Sequence, residues 1–217
     1  MNIVRRRATS GVERGQVVAA DDDLQDPGVV TLPGPRSEEG EAGDGAVDAV
    51  TASLSILGGP ADDGPAANGT VLLVGSSGGH LAQLLALAGL WTNDRVLWVT
   101  FPTADAVSRL VGRRVVHCHH PTTRNVPNLL RNGVLAWRVL RRERPVAIVS
   151  TGAGVAVPFF AIGRLLGIPT VFIEVYDRID SATLTGRLCR PFASRVLVQW
   201  EEQRRLYPRS VVIGPLL

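Results

Sequence analysis

A glycine-rich loop holds the residues of this sequence that are best suited to chemistry with an anionic ligand. It follows an apolar run at 70–74 and opens a leucine-rich segment of helical spacing at 80–91. Glycine lets a ligand approach backbone N–H groups, and a helix start adds free donors and partial positive charge. We therefore expect a phosphate or diphosphate site rather than only a tight turn. The loop consists of Gly75, Ser76, Ser77, Gly78, Gly79 and His80.

Known glycine motifs match this loop only in part. The dinucleotide fingerprint G-x-G-x-x-G fails because Ser77 stands at its second glycine, and the P-loop fails because the chain contains no lysine. The nucleophile elbow G-x-S-x-G does match residues 75–79, and it would make Ser77 the nucleophile of a serine hydrolase. This alternative also needs an acid followed by a histidine. The sequence offers Asp94 or Asp105 with His117, His119 or His120.

A second loop of small residues follows the apolar run at 147–150 and opens another helical segment. It consists of Thr151, Gly152, Ala153 and Gly154. In a doubly wound sheet of order 3-2-1-4-5-6, the first and fourth strands are neighbours, and ligands bind where their carboxyl ends meet. The two loops are therefore expected to face each other across one crevice.

Acidic and basic side chains follow the fifth predicted strand, beside the same crevice. Glu174 could hold a sugar hydroxyl or take a proton, or it could only pair with a neighbouring arginine. Arg178 and Asp180 lie on the loop that comes next, in reach of the same crevice, and Arg178 is expected to contribute to the phosphate or diphosphate site. Three groups remain open as the base of a group transfer, namely His80, Glu174 and Asp180.

Short apolar runs alternate with helical patterns throughout residues 69–217. This alternation predicts an α/β fold with a Rossmann-like, doubly wound parallel sheet. Strands are predicted at 70–74, 96–99, 115–117, 147–150, 170–173, 196–198 and 211–213. Helices are predicted at 80–91, 103–111, 126–143, 153–166 and 181–192.

The first 68 residues have a different composition from the rest. They carry twelve acidic residues against five arginines, whereas residues 69–217 carry eighteen arginines against eight acids. Such an acidic, Gly/Pro/Ala-rich leader predicts disorder, with one short helix around 46–57. Two cysteines argue against a disulfide scaffold. The sequence indicates neither a membrane-spanning helix nor a signal peptide.

The predicted helix at 126–143 carries a basic face that suits an anionic membrane surface. Arg131, Arg138 and Arg142 share that face, and Arg124 lies just before it. A solvated helix face is the alternative explanation. Nucleic acid is not expected as a partner, because the basic residues are not interleaved with aromatic ones and the chain has no known nucleic-acid-binding module.

The cluster from His117 to His120, with Cys118 inside it, is not expected to bind a metal. Alternation along a strand places His117 and His119 on one face, and Cys118 and His120 on the other. They therefore do not converge as one tetrahedral set. No cofactor is predicted.

Several stretches resemble a known family of glycosyltransferase subunits. The glycine loop is similar to that of GT-B glycosyltransferases acting on polyprenyl-diphosphate acceptors. More specific stretches resemble the acceptor-side subunit of the two-part UDP-GlcNAc transferase of lipid-linked oligosaccharide synthesis, and its bacterial PssD-like relatives in exopolysaccharide synthesis. They lie at 121–125, 150–159, 173–181, 184–188, 198–201 and 207–208.

The resemblance implies half of an enzyme, equivalent to the N-terminal half of a GT-B glycosyltransferase. This chain would bind a polyprenyl-diphosphate-linked glycan, and a small catalytic subunit would carry the UDP-sugar site. Its place would be the cytoplasmic face of the membrane, as a peripheral protein. The end of the chain fits this expectation, since a one-chain enzyme would continue into a second domain. The partner-facing residues would be Trp200, Glu201, Gly214 and Pro215. A non-catalytic scaffold that only recruits the partner is the alternative.

Overall fold

The computed structural model describes residues 29–31, 44–56, 69–122 and 124–217. These residues form an eight-stranded sheet of order β1-β4-β3-β2-β5-β6-β7-β8, in which every neighbouring pair is parallel except the antiparallel pair β1–β4. The strands are β1 (Val30–Thr31), β2 (Val71–Val74), β3 (Val96–Thr100), β4 (Arg114–His117), β5 (Ala147–Ser150), β6 (Thr170–Ile173), β7 (Arg195–Val198) and β8 (Val211–Val212).

The central strands are continuous apolar runs because both of their faces are covered. Every residue of β2, β3, β5 and β6 is buried. A parallel sheet of this kind needs crossover connections, which place helices on both faces. The predicted doubly wound sheet is confirmed, including the adjacency of the first and fourth predicted strands, which are β2 and β5.

Helices cover the two faces of the sheet, and the sheet divides the core into two clusters. Leu73 packs with α2 residues on one face, and Leu72 packs with α4 and α5 residues on the other. Most of the observed helices are shorter than the predicted ones. They are α1 (Asp44–Ile56), α2 (Gly79–Leu87), α3 (Ala104–Arg109), α4 (Val126–Glu143), α5 (Ala156–Leu165) and α6 (Leu184–Cys189). Short 3-10 helices lie at 88–90, 93–95 and 201–205.

Two stretches of the acidic leader pack on the sheet domain. The short helix expected near 46–57 is present as α1, and its Ala46 and Val50 are buried in the same core cluster as Leu73. Strand β1 was not predicted, and it pairs with β4 at the sheet edge. The prediction of disorder made an exception for this helix, which is present as expected. The two-residue strand β1 lies outside that exception and is held by its backbone pairing with β4. The other leader residues to which the prediction of disorder applied lie outside the described ones.

Candidate functional site

The two glycine loops meet at the carboxyl ends of β2 and β5, as the sequence predicted. Val74 and Ser150, the last residues of these strands, are paired in register. The Nδ1 atom of His80 lies 2.9 Å from the carbonyl oxygen of Thr151. The Thr151 hydroxyl in turn donates to the carbonyl of His80 at 3.0 Å. This reciprocal pair joins the two loops, and we call the region at the carboxyl edge of the sheet that these joined loops border the crevice.

The geometry of His80 determines which of its ring nitrogens is open to a ligand. A carbonyl oxygen only accepts, so Nδ1 carries the proton in its bond to Thr151 and Nε2 keeps its lone pair. Nε2 has no hydrogen-bond partner among the described residues. Burial lowers the pKa of His80, although the Thr151 bond and the charges of Glu174 and Asp177 oppose this shift. The ring is therefore suited to accept a proton at neutral pH.

The start of α2 leaves backbone donors at the crevice. The helix has no side-chain cap, so the N–H groups of its first turn are available to a ligand. One amide just before the helix is already used, because Gly78 N–H donates to Asp105 Oδ2 at 2.9 Å. This bond and the Thr103 hydroxyl, the larger cause, lower the pKa of Asp105. This role of Asp105 has no signal in the sequence, since no motif links two residues that are 27 positions apart.

The second loop comes so close to His80 that only glycine fits at one position. Gly152 has a φ of 126°, and a Cβ atom there would lie 2.8 Å from His80 Cε1. The Ser150 hydroxyl accepts a hydrogen bond from Gly152 N–H at 3.0 Å. A Cβ at Gly154 would lie 3.0 Å from the Thr122 hydroxyl, which shows that the loop after β4 also reaches the crevice.

Glu174 is a buried anchor in this structure. Its side chain is 0% exposed. Its carboxylate accepts hydrogen bonds from Val175 N–H, from both the N–H and the hydroxyl of Thr183, and from the hydroxyl of Tyr207. We call Glu174, Thr183 and Tyr207 the Glu174 cluster. The arginine partner that the sequence allowed is not observed among the described residues. The carboxylate holds together the two ends of the loop 175–183.

The remaining charged candidates of that loop point to solvent. Asp180 is exposed and pairs with Arg205 at 2.7 Å, and Arg178 is exposed as well. Gln203 stabilises this loop, because its Nε2 donates to the carbonyls of Val175 and Arg178 at 2.9 and 3.1 Å. Of the three residues considered as a base, only His80 therefore presents a polar atom at the joined glycine loops.

The residues expected to face a partner lie after β7 and β8. The Trp200 indole N–H donates to the carbonyl of Tyr176 at 2.7 Å, so this ring also holds the loop 175–183. Glu201 is exposed and pairs with Arg204 at 2.8 Å. Pro215 is exposed, and Gly214 beside it is partly exposed with a φ of 80°. Whether these residues contact a partner stays a prediction.

Helix α4 has a buried face and an exposed apolar face. On the buried side, Asn132 is 0% exposed, and its amide bonds both the N–H and the carbonyl of His119 at 2.9 Å. On the opposite side an exposed stripe follows helical spacing, with Leu130 at 67% exposure. This stripe consists of Val126, Leu130, Val134 and Trp137.

The predicted basic side of α4 borders this apolar stripe. Arg131, Arg138 and Arg142 follow one line of the helix at spacings of seven and four residues, and Arg124 stands just before the helix. The guanidinium of Arg141 lies 5.3 Å from the centre of the Trp137 ring. No helix among the described residues is long and apolar enough to cross a bilayer.

The serine hydrolase alternative gains no geometric support. A serine hydrolase needs its nucleophile hydrogen-bonded to a base, but no described histidine is bonded to Ser77. The described residues contain no group of three or more His, Cys, Asp or Glu that is placed to hold a metal ion. At the strand end, the ring of His120 packs against Phe101 with centroids 5.5 Å apart.

Comparison with known proteins places this geometry in a family context. A family model described as "Oligosaccharide biosynthesis protein Alg14 like" matches residues 70–216. The mouse UDP-N-acetylglucosamine transferase subunit ALG14 is 24% identical over 179 residues, which cover 68% of this chain and 82% of the relative. A Tolumonas auensis relative is 30% identical over 157 residues, covering 66% of this chain and 43% of the relative. It is named UDP-N-acetylglucosamine–N-acetylmuramyl-(pentapeptide) pyrophosphoryl-undecaprenol N-acetylglucosamine transferase.

Solved structures share the fold at low sequence identity. MurG of Acinetobacter baumannii aligns with a TM-score of 0.52 and 21% identity, covering 62% of this chain and 42% of that one. The UDP-GlcNAc 2-epimerase of Methanocaldococcus jannaschii aligns with a TM-score of 0.50 and 12% identity, covering 64% and 42%. These alignments confirm the predicted Rossmann-like fold of the GT-B type.

Proposed function

Since the chain belongs to the family of Alg14-like oligosaccharide biosynthesis proteins, we propose that it is the acceptor-binding subunit of a UDP-sugar-dependent glycosyltransferase. The acceptor is a polyprenyl-diphosphate-linked glycan, and the product belongs to exopolysaccharide, capsule or lipid-linked oligosaccharide synthesis. The names of the mouse and Tolumonas relatives support a UDP-N-acetylglucosamine transferase and a lipid diphosphate acceptor. The observation that carries the proposal is the crevice in which His80 Nε2 lies open beside the uncapped start of α2.

The proposed reaction uses each part of this crevice. The acceptor hydroxyl oxygen forms a bond to the anomeric carbon of the donor sugar while the bond from that carbon to the UDP oxygen breaks. UDP leaves with the bonding electron pair, and the hydroxyl proton passes to His80 Nε2. The N–H groups at the start of α2 hold the diphosphate of the acceptor, because that helix end is positive and has no side-chain cap.

The donor site is proposed to lie on a separate small catalytic subunit. Its contact surface on this chain includes Trp200, Glu201, Gly214 and Pro215, which lie at the same carboxyl edge of the sheet as the crevice. The experiment that tests the function is transfer from a panel of UDP-sugars to a polyprenyl-diphosphate acceptor. It is run with the full chain alone, and again after co-expression with the small glycosyltransferase subunit from its own genome.

Each outcome of this assay decides between the alternatives. Activity in the pair alone supports the half-enzyme and identifies the donor sugar. Activity in the chain alone contradicts it, because the chain would then be a complete enzyme. Full activity of a pair that carries His80→Asn supports the non-catalytic scaffold, since that variant lacks the open ring nitrogen.

The membrane-facing surface is proposed to be the exposed side of α4. Its apolar stripe would enter the headgroup region, and Arg124, Arg131, Arg138 and Arg142 would meet anionic lipid, each contributing about 1 kcal/mol. We place this contact at the cytoplasmic face of the membrane, with the chain as a peripheral protein. Co-sedimentation with phosphatidylglycerol vesicles tests it. Leu130→Glu should reduce binding strongly, whereas Leu165→Glu, on an exposed site of α5, should not. Equal binding of both variants would contradict the assignment.

A further inference from the structure

A second pocket lies at the carboxyl edge of the sheet, next to the Glu174 cluster. Its volume is about 410 Å³. It does not include the glycine loops, so it is separate from the crevice described above. The pocket is lined by Ala182, Arg187, Arg190, Arg205, Leu206 and Tyr207.

The charge of this lining is not balanced within the described part of the chain. Arg205 has a partner, since its guanidinium lies 2.7 Å from Asp180. The exposed side chains of Arg187 and Arg190 make no hydrogen bond or ion pair with the described residues. Water and salt screen exposed charges of this kind, so the repulsion between them is modest. The two guanidinium groups are nevertheless free of acidic partners among the described residues, and their donors are available to an anion.

The backbone fixes the positions of these arginines. Gly186 packs so closely on Tyr207 and Glu174 that a Cβ atom there would collide with both, which presses α6 against the Glu174 cluster. Arg187 comes next, and Arg190 follows three residues later on the same side of the chain. Across the pocket, Arg205 also donates to the carbonyl of Ile179 at 3.2 Å.

We propose that this pocket binds the phosphate group of a phosphorylated ligand. Guanidinium groups donate paired hydrogen bonds to phosphate oxygens, and two of them balance the charge of about −1.5 to −2 that a phosphomonoester carries near pH 7. Ala182 and Leu206 provide an apolar wall for the organic part of such a ligand. The carboxylate of Glu174 does not line the pocket, because the Tyr207 hydroxyl already binds it from that side.

The phosphate can come from a soluble molecule or from a lipid headgroup, and the experiment distinguishes the two sources. Calorimetry on the full chain at constant ionic strength uses inorganic phosphate and UDP as soluble probes. Vesicle co-sedimentation uses phosphatidic acid in phosphatidylcholine against phosphatidylcholine alone. Each probe is tested with Arg187→Ala, with Arg190→Ala and with both changes together. Arg164→Ala, an exposed arginine of α5 that does not line the pocket, controls for the loss of one charge.

The expected result is that at least one probe binds and that each pocket variant weakens its binding about tenfold, in line with a lost charge-assisted hydrogen bond. Arg164→Ala should leave the affinity unchanged. Binding of the soluble probes that the pocket variants weaken assigns a soluble ligand. Binding of phosphatidic acid vesicles alone assigns a lipid headgroup when the same variants weaken it, since binding through α4 would not respond to them. The proposal is overturned when no probe binds, or when Arg164→Ala weakens binding as much as the pocket variants do. The readout is binding, so the result does not depend on the proposed transferase activity.

Discussion

Two polar clusters at the same edge of the sheet differ in how far their hydrogen-bonding groups are used. In the crevice, His80 is bonded through one ring nitrogen only, and the start of α2 has no side-chain cap. In the Glu174 cluster, the buried carboxylate accepts from four donor groups of the chain itself. The first cluster keeps polar groups that are open to a ligand, whereas the acceptor atoms of the second are used within the chain.

The difference supports the proposed division into a binding site and its support. His80 Nε2 is not among the buried atoms that lack a hydrogen-bond partner, so it is open to solvent and can bind a ligand by displacing water. A buried carboxylate with all its partners instead stabilises the backbone around it. We therefore assign the chemistry to His80, and we assign to Glu174 the task of holding the loop 175–183 beside the crevice.

The strongest test of this comparison is Glu174→Ala. The change removes four hydrogen bonds and leaves the Tyr207 hydroxyl buried without its acceptor, so the free energy of unfolding should fall by about 3 kcal/mol. Chemical denaturation measures it. Glu202→Ala, an exposed acid on the nearby 3-10 helix, is the control and should change stability very little. Equal stability of the two variants, with activity lost only in Glu174→Ala, would make Glu174 a catalytic group.

The converse test is His80→Asn. The asparagine amide can still donate to the Thr151 carbonyl as Nδ1 does, but it has no atom at the position of Nε2. The rate of sugar transfer by the complex should fall about 100-fold, the usual lower range for loss of a general base. The free energy of unfolding should change much less than in Glu174→Ala. A large loss of stability at an unchanged rate would assign His80 to the support instead.

The pH dependence sharpens the assignment of His80. Burial lowers its pKa below the ordinary value of 6.5, so the ring is neutral at pH 7 and the transfer rate should fall only in more acidic solution. The unfolded chain takes up the proton at a higher pH than the folded one. The stability that this group contributes is therefore complete above pH 6.5 and is lost as the pH falls through the lowered value. Rate and unfolding profiles of the original chain and His80→Asn should differ in this acidic limb.

The smallest expected effect concerns Asp105, which occupies one amide of the glycine loop. Asp105→Ala removes a negative charge from the place where the acceptor diphosphate is proposed to bind. The KM for the acceptor should fall about twofold, since an exposed charge interaction contributes a few tenths of a kcal/mol. Steady-state kinetics at varied acceptor concentration measures it. A rise in KM would show that the bond to Gly78 shapes the loop for binding.

Local pattern was sufficient to predict most of the fold and the crevice. Continuous apolar runs marked the buried strands, and the doubly wound order then brought Gly75–His80 next to Thr151–Gly154. The two-residue strand β1 is too short to show an alternating or apolar pattern in the sequence, and it is a strand only because it pairs with β4. Most helix lengths were overestimated. Helix α6, for example, has six residues, since it begins after Thr183 and a turn follows Cys189.

The roles of the carboxylates could not be predicted from sequence, because distant residues decide them. Glu174 follows a strand as a catalytic acid often does, but its partner Tyr207 lies 33 residues further along. Asp105 meets Gly78 only because α3 begins beside the glycine loop. Spacing along the chain carries no information about such contacts, which become evident only from the burial and hydrogen bonds of the folded structure.

The two hydrogen bonds between Asn132 and His119 bear on the distance between the glycine loops and the proposed membrane surface. They oppose rotation of α4 about its own axis, because a rotation would break both bonds at a fully buried position. The exposed stripe on the other side of α4 therefore keeps one orientation relative to the crevice. On the proposed membrane surface, the height of the glycine loops above the lipid headgroups is then a fixed dimension of the fold. The complex would then select acceptors whose diphosphate projects from the bilayer by a matching distance.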